Sequence, residues 1–379
     1  MMFQINETFA AYSELFMLLA AGTYTVAFLA FAWDMATSGG RTARADAARS
    51  EGRRAPGARD ASSAAWAERA LEPAAAAAAV GSGTGAAASS ADAGTAGNGT
   101  AGNGTAGEGA VPGAGAVVAD PGLAYTGTRR AARTGVALSV LGLAIHAAGV
   151  LTRGLAAGRV PWGNMYEFCT TGALLVVAVF LVVLIKRDLR FLGTFVLGLA
   201  TVMMVAAAVS FWTPVGHLVP ALQSYWLIIH VSIAVLSSAL FTLTFSMAVL
   251  QLIQGRREAR IAAGGADRGG FMRLVPSALT LETLAYRINT IAFVGWTLTV
   301  MFGAIWAEKA WGRFWGWDTK EVWSFVIWVV YAAYLHARAT RGWTGARAAW
   351  LSIVGYACLI FNFTVVNMYF SGLHSYAGL

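Results

Sequence analysis

Residues 288–335 read INTIAFVGWTLTVMFGAIWAEKAWGRFWGWDTKEVWSFVIWVVYAAYL. Two apolar runs, 288–306 and 322–335, flank a stretch in which Trp recurs beside Lys, Arg, Asp and Glu. A membrane-spanning helix needs roughly 20 apolar residues. The first run has that length. The second is shorter and rich in Trp and Tyr, residues favoured at a membrane–water interface. The segment therefore reads as two spans joined by a Trp-rich loop, 306–323.

The rest of the chain extends this pattern. Further apolar runs occur at 11–31, 132–151, 165–185, 191–211, 222–253 and 348–370, giving about eight transmembrane helices. The expected fold class is an all-α polytopic membrane protein. Composition agrees: of 379 residues, 57% are hydrophobic and 12% charged, about half the charged share of a soluble domain. The mean hydropathy is +0.59. The first run follows Glu7 and Glu14 with no basic segment ahead of it, so it reads as a retained span rather than a cleaved signal.

The net charge of +8 bears on orientation before any other use, and nucleic-acid binding is not expected. Arg129, Arg130 and Arg133 precede the second span. Lys186, Arg187 and Arg190 join the third to the fourth. Six arginines between 256 and 287 join the fifth to the sixth, and Arg338, Arg341 and Arg347 join the seventh to the eighth. With eight spans these segments fall on one side, which the positive-inside rule makes cytoplasmic. Both termini then face outward, with the loops 154–164, 212–221 and 307–321.

Residues 1–39 are read as the first span and its flanks, and 129–379 as a seven-helix core. Between them, 40–128 is rich in Ala, Gly and Ser and contains GTAGNGTAGNGTAGEG. Such a segment buries too little apolar surface to fold, and it is expected to be a disordered cytoplasmic linker. The two cysteines, Cys169 and Cys358, stand alone in apolar runs. Without a C-x-x-C pair, thiol–disulfide chemistry and a zinc site are not expected.

The five histidines are His146, His217, His230, His336 and His374. A coordinating residue inside a span is costly and marks a functional position by default. The topology puts His230, near the outer end of span five, on the same face as His374, beyond span eight, and the Trp loop. Neutral imidazole is an axial ligand for haem iron, and Trp rings offer flat apolar area at the water boundary. The plainer alternatives are interhelical hydrogen bonding for the histidine and an anchoring belt for the tryptophans. His217, beside Pro214 and Gly216, reads as a loop residue. His146 and His336 are a candidate intramembrane pair, although straight helices rising 1.5 Å per residue would leave them at different depths.

The motif Trp311-Gly312-x-x-Trp315-x-Trp317-Asp318-x-x-Glu321 closely resembles the WWD signature of haem-handling proteins of cytochrome c biogenesis. Within that group the chain resembles the CcsA/ResC branch of system II, called CcsB in actinobacterial naming. PWGNMYEF (161–168) is similar to the family's P-x-x-N-x-Y-E stretch. SYWLIIHV (224–231) and GLHSY (372–376) are similar to its two outer histidine segments, and His336 to the histidine after the signature. The likeness covers about 130–379 and the first span. Thr319 stands where the family usually has proline, and the local match around His146 is looser.

The resemblance implies a system that takes up haem b, holds it between His146 and His336, and presents it outside between His230 and His374. The signature residues Trp311, Trp315, Trp317, Asp318 and Glu321 would lie against it. It further implies a ResB/Ccs1-type membrane subunit, an apocytochrome c with a C-x-x-C-H motif, and a separate thioredoxin-like reductant. The chain would then be a component of a holocytochrome c synthase in the cytoplasmic membrane. Asp318 and Glu321 have an alternative role as caps at the start of span seven. Arg153, Arg159 and Arg313 are candidates for haem propionates. Two other readings remain: a membrane electron-transfer protein with haem b between histidine pairs, and a solute transporter without a cofactor.

Overall fold

The computed structural model describes residues 4–54, 129–267, 269–340 and 342–374. The chain divides into two compact units, residues 1–42 with 120–379, and residues 43–119. Of the second unit only 43–54, the last turns of the first helix, are described.

Eight helices are long and apolar enough to cross a membrane, and among the described residues there is no strand. They are α1 (Glu7–Arg54), α2 (Arg130–Ala157), α3 (Met165–Lys186), α4 (Gly193–Ser210), α5 (Tyr225–Ala262), α6 (Ala278–Trp311), α7 (Thr319–Thr340) and α8 (Ala346–Phe363). A short helix, α9 (Val365–Tyr369), continues α8. Each apolar run of the sequence thus becomes one helix of a multi-pass membrane protein. The first helix is longer than expected: it continues past 39 to Arg54. The remainder of the low-complexity segment, 55–128, lies outside the described residues. The seventh is also longer than its apolar run, because its polar ends find partners inside the protein.

Local chemistry places the boundaries. Asn164 starts α3 by accepting from the Glu167 N–H at 2.9 Å. Ser224 and Ser277 cap α5 and α6 in the same way, each satisfying an N–H that the first turn leaves without a helical partner. Gly312 ends α6 at φ 71°, a left-handed conformation that glycine adopts without a steric penalty.

Small residues set the packing. Along α2, Gly135, Gly142 and Gly149 recur every seventh residue and meet Phe31, Tyr24 and Met17 of α1. Close approach over small residues is the usual route to helix association in lipid, where apolar contact alone gives no advantage. Ser13 adds a hydrogen bond to the Gly149 carbonyl at 2.8 Å. The longest helices, α5 and α6, form the central pair. Gly295 lies against Ser237 and Gly303 against His230.

The two ends of the bundle differ. At one end, the Glu282 carboxylate bonds to Arg338, to Gln251 Nε2 at 3.2 Å and to the Gly345 N–H at 2.8 Å. Asp267 pairs with Arg257 at 2.7 Å and Arg273 at 3.0 Å. This is the end that carries the basic loops. At the other end, the loops after α2, α4, α6 and α8 bond to one another. Arg153 and Arg159 donate to the carbonyls of Thr213 and Gly216. Trp306 donates to that of Ala221, and the Leu373 N–H donates to Asp318. The alternation of basic and Trp-rich loops seen in the sequence is therefore an alternation of ends.

Candidate functional site

At the end opposite the basic loops, α3, α4, α5, α6, α7 and α8 enclose a cavity of about 320 Å³, within the usual size range of small-molecule sites. Its wall is mostly apolar and includes Met165, Phe168, Leu227 and Val231. Four polar or aromatic groups stand out on it: His230, His374, Trp306 and Lys320.

His230 enters from the second turn of α5. Its Nδ1 lies 2.9 Å from the Thr299 carbonyl oxygen of α6. A side chain at position 303 would have its Cβ 2.7 Å from the ring, so only glycine leaves room for the imidazole there. His374 arrives on the segment after α9. Its Nδ1 lies 2.7 Å from Asp318 Oδ2. In both rings Nδ1 is committed to an oxygen, which leaves Nε2 as the nitrogen free to bind a metal. This is the usual arrangement of metal-ligating histidines, whose other N–H is held by a carbonyl or carboxylate.

Trp306 touches both imidazoles, stacked on His230 at 5.8 Å between ring centroids and edge-on to His374 at 5.6 Å. Trp311 closes on His374 at 4.8 Å. Among the described residues, no group of three or more His, Cys, Asp or Glu is positioned to hold a metal ion. Two imidazoles are too few for a bare ion. They suit a metal whose remaining positions are already filled, as the four porphyrin nitrogens fill those of haem iron.

The signature residues divide by position. Asp318 sits behind His374. Besides the imidazole it accepts the Leu373 N–H at 3.1 Å, and the imidazole holds its carboxyl below the usual carboxylate range. Glu321 does not reach the cavity. Its Oε2 accepts the N–H groups of Gly316 at 2.8 Å and Asp318 at 3.1 Å, closing the start of α7 as the third residue of a capping box does. Capping is thus the work of Glu321, and Asp318 serves the histidine. Trp315 and Trp317 pack edge-on at 5.8 Å and do not line the cavity. Trp317 is 75% exposed and holds φ at 59°, the one non-glycine residue with positive φ among those described.

Two sets of sequence candidates lie away from the cavity. Arg153 and Arg159 both pair with Glu167 and do not line the cavity. Arg153 Nε lies 2.9 Å from its Oε1 and Arg159 Nη1 2.8 Å from its Oε2. The Gly163 N–H adds a third donor at 2.7 Å. Arg153 and Glu167 are almost wholly buried, so the P-x-x-N-x-Y-E stretch clamps the loops after α2 and α4 onto the bundle. Arg313 remains exposed. Second, the structure does not join His146 to His336. His146 is fully buried, with Nδ1 3.2 Å from the Tyr24 hydroxyl. His336 is exposed, one turn from the opposite end of α7. His217 is an exposed loop residue, as expected.

Trp306 and Lys320 were not legible as site residues. Trp306 opens the Trp-rich stretch but precedes the signature, and only its position against two distant histidines gives it away.

The fold and site define a class: a polytopic membrane protein with a paired-histidine cavity at one end. The chain belongs to the cytochrome c assembly protein family, whose model matches residues 162–374, and this places it in cytochrome c biogenesis. It is similar to the cytochrome c biogenesis protein CcsA of Prochlorococcus marinus (strain MIT 9303), 37% identical over 58% of this chain and 76% of the relative. CcsA of Parasynechococcus marenigrum (strain WH8102) is 34% identical over 67% of this chain and 90% of its own length. CcsA of Guillardia theta is 34% identical over 60% and 80%.

Proposed function

We propose that this protein presents haem b, as substrate, at the outer face of the cytoplasmic membrane for covalent attachment to apocytochrome c. The observation that carries the proposal is the convergence of His230 and His374 on one cavity, each with Nδ1 held by oxygen. The positive-inside distribution of arginine supports an outward-facing cavity.

Each residue then has a task. His230, fixed in a helix, and His374, on a tail, supply the axial nitrogens. Asp318 keeps the His374 tautomer with the proton on Nδ1. Trp306 and Trp311 limit the movement of both rings, and the apolar wall excludes water. The work is positioning, since the reactive double bonds belong to haem. Each thiol of a C-x-x-C-H apocytochrome adds across one vinyl group: the S–H bond breaks, a C–S bond forms, and the hydrogen ends on the other vinyl carbon. No oxidant is consumed. The client histidine replaces one axial ligand. The thiols must arrive reduced, which fits a separate thioredoxin-like reductant and the lack of a C-x-x-C here. A ResB/Ccs1-type subunit is the expected partner. The electron-transfer alternative needs a second facing histidine pair, and His146 and His336 are not joined in this structure.

The test is a host lacking its own cytochrome c maturation system, supplied with this chain, the ResB-type subunit and a C-x-x-C-H reporter. Covalent haem on the reporter is expected. It should disappear in His230→Ala and His374→Ala. A reporter that stays free of haem with the intact pair of subunits would overturn the proposal.

A further inference from the structure

Lys320 is a half-buried cation with no carboxylate in ion-pair contact among the described residues. It lies in the first turn of α7 and lines the same cavity as His230 and His374. Its Nζ hydrogen-bonds to Asn367 Oδ1 of α9, a neutral amide. Among the described residues no carboxylate lies within ion-pair distance of it. Asp318 is near enough to be felt electrostatically, but its oxygens are engaged by His374 and the Leu373 N–H.

Each of these facts is unfavourable in isolation. An ammonium removed from water needs a charge partner, and a cation in the first turn of a helix opposes the macrodipole. Its charge also reaches the His230 imidazole. A cationic side chain facing an internal cavity near the membrane marks a ligand contact by default. The missing partner is thus an anion that arrives with the ligand.

The geometry points to Lys320 as the acceptor of a carboxylate of the substrate, a haem propionate, with Asn367 holding the ammonium in place beforehand. This rests on the reading of the cavity as a haem site. Lys320 differs here from Arg153 and Arg159, which share the one carboxylate of Glu167 and do not line this cavity. The lysine would fix which edge of the porphyrin faces α7, and hence which edge carries the vinyl groups toward the client.

The experiment is a titration of the full-length protein, purified with its partner subunit, with haem b and with haem dimethyl ester, whose propionates are uncharged. Affinity and absorption spectrum are both recorded. The wild type should bind haem b roughly tenfold or more tightly than the ester, the scale of one charge-assisted contact. Lys320→Gln should abolish that preference while keeping a bis-histidine spectrum, which also reports that it is folded. Lys320→Arg should restore most of it. An unchanged preference in Lys320→Gln, with the spectrum intact, overturns the assignment of Lys320 and leaves the haem site standing. Loss of a spectrum dependent on His230 and His374 in the wild type would overturn both.

Discussion

The two histidine pairs suggested by the sequence meet different fates. His230 and His374 come from α5 and the end of the chain, yet both line one cavity with Nδ1 bonded to oxygen. His146 and His336 also lie on separate helices, but one is buried against Tyr24 and the other is exposed. The difference lies in whether the two rings share one cavity. The cavity pair is held by a carbonyl, a carboxylate and two tryptophans, in space kept open by Gly303. His146 has Nδ1 at the Tyr24 hydroxyl and a buried Nε2 without a partner, but no second imidazole shares its surroundings. What separates the two pairs is whether both imidazoles line one cavity.

That contrast can be broken most severely by removing the clamp beneath the loops at the cavity end. Glu167→Ala leaves Arg153 buried without its carboxylate, a loss of about 3–5 kcal/mol for a broken buried pair. Thermal unfolding in detergent should show a much lower midpoint, with the haem spectrum lost as well. An unchanged midpoint would mean that the clamp does not hold the cavity end together.

Next is Gly303→Ala. Its Cβ would stand 2.7 Å from the His230 ring, and overpacking of this kind costs about 1–3 kcal/mol. The ring must move, so the low-spin spectrum should weaken. Ser13→Ala, on the α1–α2 contact, should leave that spectrum as it is.

Asp318→Asn should reduce haem affinity by roughly 10–100-fold, the usual effect of losing a carboxylate behind a ligating histidine. The same contact sets a pH dependence. The Asp318 carboxyl is held below its ordinary value, so its contribution to stability is full above about pH 4, the unfolded value. It fades as pH falls through the lower folded value. Acid should therefore release the 370–374 segment in the wild type, with little further effect in Asp318→Asn. Equal acid sensitivity in both would assign that loss to other groups.

The smallest effect is expected at the rim. Trp317→Gly relieves a left-handed backbone in an exposed residue and should stabilise by about 1 kcal/mol, with the haem spectrum unchanged. A lost spectrum would move Trp317 from the rim into the site.

The helices were legible because apolar runs of membrane length leave few alternatives, and the alternating arginines marked which loops share an end. Glu321 could be seen as a cap from its spacing to Asp318. Side-chain partners were harder to see. Glu167 draws on Arg153 and Arg159 at irregular spacing, and that pairing depends on how the loop after α2 folds back. Asp318 reaches His374 across more than 50 residues, so no local pattern separates its role from capping. The length of α1 was missed because composition alone separated the span from the segment after it.

The central claim is that His230 and His374, rather than His146 and His336, hold haem in this cavity. The most direct measurement is the absorption spectrum and haem content of the protein purified with its partner, in two double variants. With His230→Ala and His374→Ala, the low-spin bis-histidine signal of this site should be lost. With His146→Ala and His336→Ala, it should persist. Retention of the signal in the first variant, or its loss in the second alone, would contradict the account.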